Sequence, residues 1–218
     1  MFLKAILTLL PWSLRRRLLE WSFGYDLHPT SWIGRSWIFP KHLILRENAS
    51  IGHLNLAKGL DRIELGAHSS IGNLNWITAH PSDGFHFQHL QDRSPSLIIG
   101  DHSSITGHHF LDCASRITIG DFSTVAGVHS QFFTHNIDVE EGRQATRPIE
   151  IGSYCLVATG TVVLAGSVLP DYSVLSAMSL LNKAHSETHR LYGGVPAAPL
   201  KSIAADARYF TRTRGVVR

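Results

Sequence analysis

The sequence predicts an all-β solenoid wound from six-residue rungs, and three observations predict it. From Ile151 onward, apolar residues recur every six positions, at Ile151, Val157, Val163, Leu169, Leu175 and Leu181. Four positions after each of the first five stands a small residue: Cys155, Thr161, Ser167, Ser173 and Ser179. Glycine often follows the apolar slot, as in Ile33-Gly34, Ile51-Gly52, Leu65-Gly66, Ile99-Gly100 and Ile151-Gly152. Neither a helix, with a period of about 3.6, nor an alternating hairpin generates a six-residue repeat with two distinct slots. Six extended residues reach about 20 Å at most, so each rung is a short flat strand followed by a corner. The apolar residue points inward and the small one lets the corner turn. Glycine supplies a positive φ where one is wanted. Each coil buries its core only by stacking on its neighbours.

The elements follow in order. Residues 1–25 precede the repeat and read as a basic amphipathic helix, with Leu14, Leu18, Leu19 and Trp21 on an apolar side and Arg15, Arg16 and Arg17 flanking it. A signal peptide would place its charge first and a small-residue cleavage site after, so this start is not read as one. Two roles fit the segment: docking of residues 1–23 on an anionic membrane surface, or packing on its own protein or a neighbouring subunit. The solenoid domain is expected over 26–185. Its repeat begins at Ile33, Phe39, Leu45 and Ile51, continues at Leu65, Ile71 and Ile77, then at Ile99, Ile105, Leu111 and Ile117, and resumes at Ile119 and Val125 after a two-residue slip. Residues 79–96 and 136–148 break the period and are expected to be extruded loops. After Leu181 the pattern stops; 186–218 should hold a Gly193-Gly194 turn and a helix from about Leu200, with Ile203, Ala204 and Ala207 on one side.

Composition bounds the function. The chain has 218 residues, of which 44% are hydrophobic and 17% charged, so it suits one domain with terminal additions and is neither disordered nor a coiled coil. Its 20 Lys and Arg against 17 Asp and Glu give +3, too small an excess to argue for nucleic acid. Two cysteines, Cys113 and Cys155, form neither a disulfide framework nor a zinc signature, and a reducing cytoplasmic location is the default.

From Ile117 to about Lys201 the residues ITIGDFSTVAGVHSQFFTHNID, RPIEIGSYCLVATGTVVLAGSVLPDYSVLSAMSLLNKA and GGVPAAPLK resemble the hexapeptide-repeat acyltransferases, in their carbohydrate O-acetyltransferase branch. That resemblance implies a left-handed parallel β-helix. It also implies an acetyl-CoA-dependent transfer to a sugar or glycan hydroxyl, in polysaccharide or glycolipid assembly, by a homotrimer with active sites between subunits. The family's catalytic base matches His135 in Phe133-Thr134-His135-Asn136. Its donor groove matches Thr159 and Ala177, and its phosphate-side residues match Asn182, Lys183 and Lys201. Asp112 falls near a family position that contacts the sugar. The sequence departs at Leu156-Val157-Ala158, at Met178 where glycine is usual, and at Ala198 where a basic residue is usual, which puts groove shape and acyl length in question.

The chemistry points the same way. A sugar hydroxyl is too weak an acid to ionise near neutrality, and a positioned imidazole is worth roughly 10²–10⁴-fold in taking its proton. Asp138, Glu140, Glu141 or a backbone carbonyl are open as the group that orients His135. His108, His109 and His129 lie on coil positions and read as structural or substrate-lining. His80, His86 and His89 sit on the first loop without zinc-ligand spacing, so no metal is expected. Trp76, Phe85 and Phe87 either stack on a sugar or cap the coil end or a neighbouring subunit. The competing readings are a γ-class carbonic anhydrase-like zinc enzyme, an N-acyltransferase on an amino sugar, and a non-catalytic scaffold.

Overall fold

The computed structural model describes residues 2–90 and 92–215, without the side chains of Phe2 and Leu3. Met1, Gln91 and residues 216–218, Arg218 among them, lie outside the described residues.

Short parallel strands stack into three faces. The first runs from Asp26–Leu27 to Val168–Leu169, the second from Trp32–Ile33 through Val174–Leu175 to Arg190–Gly193, and the third from Trp37–Ile38 to Leu180–Leu181. Strand register turns the sequence repeat into columns. On the second face Ile33, Ile51, Ile71, Ile105, Val125, Val157 and Leu175 pair successively. Each is at most 2% exposed, and burying such a side chain is worth roughly 1.5–3 kcal/mol. The slip in the repeat is absorbed by one strand, Ile117–Ile119, whose two isoleucines both face inward against Leu97 and Ile99. The first third-face column residue is Ile38 rather than Phe39. Phe39 turns instead at the corner, its ring 5.7 Å from Phe23 and 5.1 Å from Trp37.

The small slot has a second reason besides space. Ser103 Oγ donates to Gly120 O (2.6 Å) and accepts the Ser123 N–H (2.9 Å). Ser123 repeats this with Gly152 O (2.6 Å) and the Cys155 N–H (2.8 Å), so hydroxyls bolt coil to coil. Glycine acts differently from the expectation. Positive φ, 53–58°, is adopted at Asn48, His68, His102, Phe122, Tyr154, Tyr172 and His189. A Cβ on Gly52 would stand 2.6 Å from Gly72 O. The glycines after the apolar slot therefore permit close stacking.

These left-handed positions place rings above rings. His68, His102, Phe122, Tyr154, Tyr172 and His189 form a continuous stack with centroids 4.7–5.1 Å apart. The stack also explains the fate of the C-terminal segment. The helix expected from about Leu200 does not form: Ala198–Ser202 is a strand antiparallel to Arg190–Gly193, and residues 203–215 are turns and bends. The tail crosses the ring stack instead. Phe210 meets Tyr172 and His189 edge-on, Tyr209 Oη donates to Cys155 O (3.0 Å), and Arg212 lies over the Tyr209 ring (3.7 Å) and bonds Phe122 O. Tertiary contacts override the helical spacing of Ile203, Ala204 and Ala207. The repeat also runs one strand further than expected, with Tyr192 fully buried beside Leu175.

The N-terminal segment is two helices, Phe2–Leu9 and Trp12–Phe23, broken at Pro11 and closed by Gly24 at φ 65°. They cover the open end of the first coil. Arg15, expected to flank the apolar side, is 1% exposed and donates to Gly34 O (2.7 Å) and Ser36 O (2.9 Å). Burial lowers its pKa to about 10, so it remains charged at neutrality. Leu19 packs inward, while Leu9, Leu14 and Trp21 stay exposed, Trp21 at 85%. Among the described residues, no helix is long and apolar enough to cross a membrane.

Candidate active site

The third face and the two interruptions build the site. Phe110–Asp112 and Gln131–Phe133 are neighbouring parallel strands, with Asp112 paired to Phe133. Thr134 turns the chain out of the coil. Its fully buried hydroxyl donates to Asp112 O (2.8 Å) and accepts the Ser115 N–H (2.8 Å), while its carbonyl accepts the Arg147 N–H (3.0 Å). The next residue, His135, opens a β-hairpin of His135–Asp138 against Arg143–Thr146, so the second expected loop is an ordered ribbon. A rigid corner thus fixes where the imidazole emerges.

His135 Nδ1 bonds Asp112 Oδ2. The imidazole side chain is 35% exposed, and the carboxylate is buried at 6%. The bond to Asp112 raises the His135 pKa, against the opposing pull of burial. With Nδ1–H directed at the carboxylate, the neutral ring carries its lone pair on Nε2. Asp112, matched by resemblance near a sugar-contacting position, lines the cleft and is also the residue that bonds His135 Nδ1. Asp138, Glu140 and Glu141 do not fill that role: Asp138 Oδ1 accepts the N–H groups of Glu140 and Glu141 within the hairpin. No local spacing could reveal the pairing, because it joins residues separated by a whole coil.

The pair faces a cleft of about 610 Å³, with Trp76, Phe110 and Phe133 among its lining. The first loop adds His80 to its lining, and the pKa of that ring is lowered by burial and by His86 and His135. Arg93, unremarked in the sequence, ties that loop down. It donates to His80 O (2.5 Å), Pro81 O (2.6 Å) and Ala114 O (2.9 Å), and lies 4.4 Å from the Phe87 ring. Phe87 is buried under this guanidinium, edge-on to His135 at 6.3 Å; it neither stacks at the cleft surface nor caps a coil end. Trp76 does line the cleft, and Phe85 is 81% exposed.

The remaining histidines and cysteines are structural or peripheral. His109 is 2% exposed and continues a side-chain ladder: Asn55 Oδ1 accepts the Asn75 N–H, Asn75 Oδ1 the His109 N–H, and His109 Nδ1 the Ser130 N–H. Burial pushes its pKa down to about 4, so it serves as a neutral acceptor. Burial raises both thiols, that of Cys155 to about 12 and that of Cys113 well above its ordinary value, which leaves them inert. Among the described residues, no three His, Cys, Asp or Glu side chains converge on a metal-sized site.

The five expected donor residues lie off this cleft. Thr159 and Ala177 are exposed on successive corners between the second and third faces, where the Thr159 hydroxyl donates to Val128 O (2.8 Å) and its carbonyl accepts the Met178 N–H (3.1 Å). Asn182 and Lys183 follow Leu180–Leu181 on the corner that bears His135, two strands further along. Lys201 is exposed on the final antiparallel strand.

No protein-family model matches the chain, and no curated protein matches it. Solved structures do. A point mutant of AntD, an N-acyltransferase from Bacillus cereus, in complex with dTDP-4-amino-4,6-dideoxyglucose and coenzyme A, superposes with a TM-score of 0.56 at 14% identity, covering 87% of this chain and 89% of that one. The polysialic acid O-acetyltransferase OatWY superposes at 0.54 and 15% identity, covering 87% and 90%. At these identities the likeness is one of fold. The chain is a left-handed parallel β-helix of hexapeptide repeats. The first of these structures is named for N-acyl transfer and the second for O-acetyl transfer.

Proposed function

We propose that the chain is an acetyl-CoA-dependent O-acetyltransferase acting on a sugar hydroxyl in polysaccharide or glycolipid assembly, with His135 as general base. The observation that carries this is the His135–Asp112 pair opening onto an aromatic-lined cleft. The acceptor hydroxyl gives its proton to His135 Nε2 as its oxygen bonds the thioester carbonyl carbon. The carbon–sulfur bond then breaks, and the proton passes to the departing coenzyme A thiolate. Direct transfer needs no nucleophilic Ser or Cys, in keeping with two buried thiols. The base favours a hydroxyl over an amine acceptor, because an amine has a nucleophilic lone pair without losing a proton first. The zinc-enzyme reading lacks a converging ligand set among the described residues. The test is release of free thiol from acetyl-CoA with a panel of sugars and amino sugars; turnover with amines alone would transfer the assignment to N-acylation.

Thr159, Ala177, Asn182, Lys183 and Lys201 are proposed to hold the donor. Thr159 and Ala177 stand on a different corner from His135, so a neighbouring copy would have to bring its own corner to this cleft. This supports a homotrimer with sites between subunits. Light scattering should give a native mass three times 24.2 kDa; a monomer that turns over would overturn the shared site.

A cytoplasmic enzyme working at the inner face of the membrane fits the exposed Leu9, Leu14 and Trp21 beside Arg17 on the N-terminal helices. Because these helices also close the solenoid, substitution tests the contact better than deletion. Trp21→Ser with Leu14→Ser should abolish sedimentation with anionic vesicles while leaving thermal unfolding unchanged. Equal sedimentation of the two proteins would remove the membrane contact.

A further inference from the structure

The outward side of the third face sets out the cleft floor in rows. Lys58, Thr78, Asp112 and Phe133 are in register across four adjacent strands. At about 4.8 Å per strand, Lys58 lies roughly 10 Å along the floor from Asp112 and so from the base that Asp112 holds. The next row places Trp76 beside Phe110. Trp76 is 55% exposed, and the Phe110 ring is 5.5 Å from that of Phe133, so aromatic rings flank the Lys58-Thr78-Asp112 row.

Its two fixed charges stand apart, Lys58 at one end and Asp112 under the base at the other. Lys58, His80 and His135 line the cleft, and the single carboxylate among the described lining residues, Asp112, is engaged by His135. Lys58 has no ion-pair partner among the described residues, whereas the amine of Lys41 is taken by Asp61 (3.0 Å) and Asp83 (3.3 Å). An exposed lysine on an open face needs no partner. Lys58 differs in standing at one end of a row that aromatic rings flank and whose Asp112 holds the base.

We infer that the acceptor is an anionic saccharide, whose carboxylate or phosphate is received by Lys58 while a ring rests on Trp76 and Phe110 and a hydroxyl reaches His135. This rests on the transferase reading above and names its substrate class. A charge-assisted contact to Lys58 acts on binding of the acceptor, upstream of the proton transfer. It therefore governs KM for charged acceptors and the choice between charged and neutral ones.

The experiment compares matched acceptors on the full-length protein with acetyl-CoA: glucose with glucuronic acid and glucose 6-phosphate, and galactose with galacturonic acid, each as the methyl glycoside. The native enzyme should prefer the charged member of each set, with a KM that rises with salt. Lys58→Gln should lower that preference roughly 10- to 100-fold through KM, and Lys58→Arg should restore it. The acid and phosphate arms decide which anion is recognised. Equal use of neutral and charged sugars by the native enzyme, or an unchanged preference in Lys58→Gln, would overturn the inference while leaving the transferase intact. Failure of every sugar would instead fell the transferase reading itself.

Discussion

His135→Ala should lose about 10²–10⁴-fold in turnover with little change in acceptor KM, because the imidazole acts in the transition state. At about 1.36 kcal/mol per tenfold, that is roughly 3–5 kcal/mol of barrier. The side chain is partly exposed, so its removal opens no buried cavity, but it leaves the buried Asp112 carboxylate without its partner, and the melting temperature should fall while the folded protein still loses turnover. Thiol release from acetyl-CoA, measured with and without acceptor, checks the result. Normal turnover in the variant would assign the base elsewhere, with His80, which also lines the cleft, as the next position to substitute.

Asp112→Asn carries the second large effect and a distinctive pH signature. The carboxylate holds Nδ1–H and stabilises the imidazolium that forms as the hydroxyl loses its proton. An amide in its place can offer N–H to Nδ1 and fix the wrong tautomer, and a loss of roughly 10³–10⁴-fold follows. The direction of the pH shift is set by the raised His135 pKa, whose largest cause is the Asp112 bond. Only the neutral ring is a base, so native activity rises with pH through that raised value. With the anion removed the pKa falls, and the acid limb moves to lower pH even as the plateau drops. The same bond stabilises the folded chain below the unfolded pKa of about 6.5, and that contribution is lost as pH rises through the folded value. An acid limb at the same pH in the variant would show that Asp112 does not act through His135.

The solenoid was legible because its signal is local and periodic: every column residue from Ile151 to Leu181 is where the spacing puts it, and all are buried. His135 was picked out by resemblance, as the histidine of a Thr-His element just before an interruption, and the structure places it in the lining of a cleft. What escaped depends on coils meeting. Asp112 reaches His135 only because two strands stack, and Arg93 matters only because a loop folds back over Phe87. The C-terminal helix failed on the same ground. Its apparent apolar spacing lost to a ring stack that no window along the chain contains, since its members run from His68 to His189. The glycine role was inverted because the sequence shows which residue is small, and only the structure shows whether torsion or clearance required it.

The helical lid bears on assembly as well as stability. A parallel β stack ends in a rung whose peptide groups lack partners, and such a rung is a template on which another chain can pair. Here Arg15 occupies two of those carbonyls, Gly34 O and Ser36 O, from inside a folded layer. Two acceptors on which another chain could pair end to end are thereby removed. The same pins, with buried Leu19, tie the helical layer to the prism, so its exposed Leu14 and Trp21 are presented from a packed end rather than from a tether.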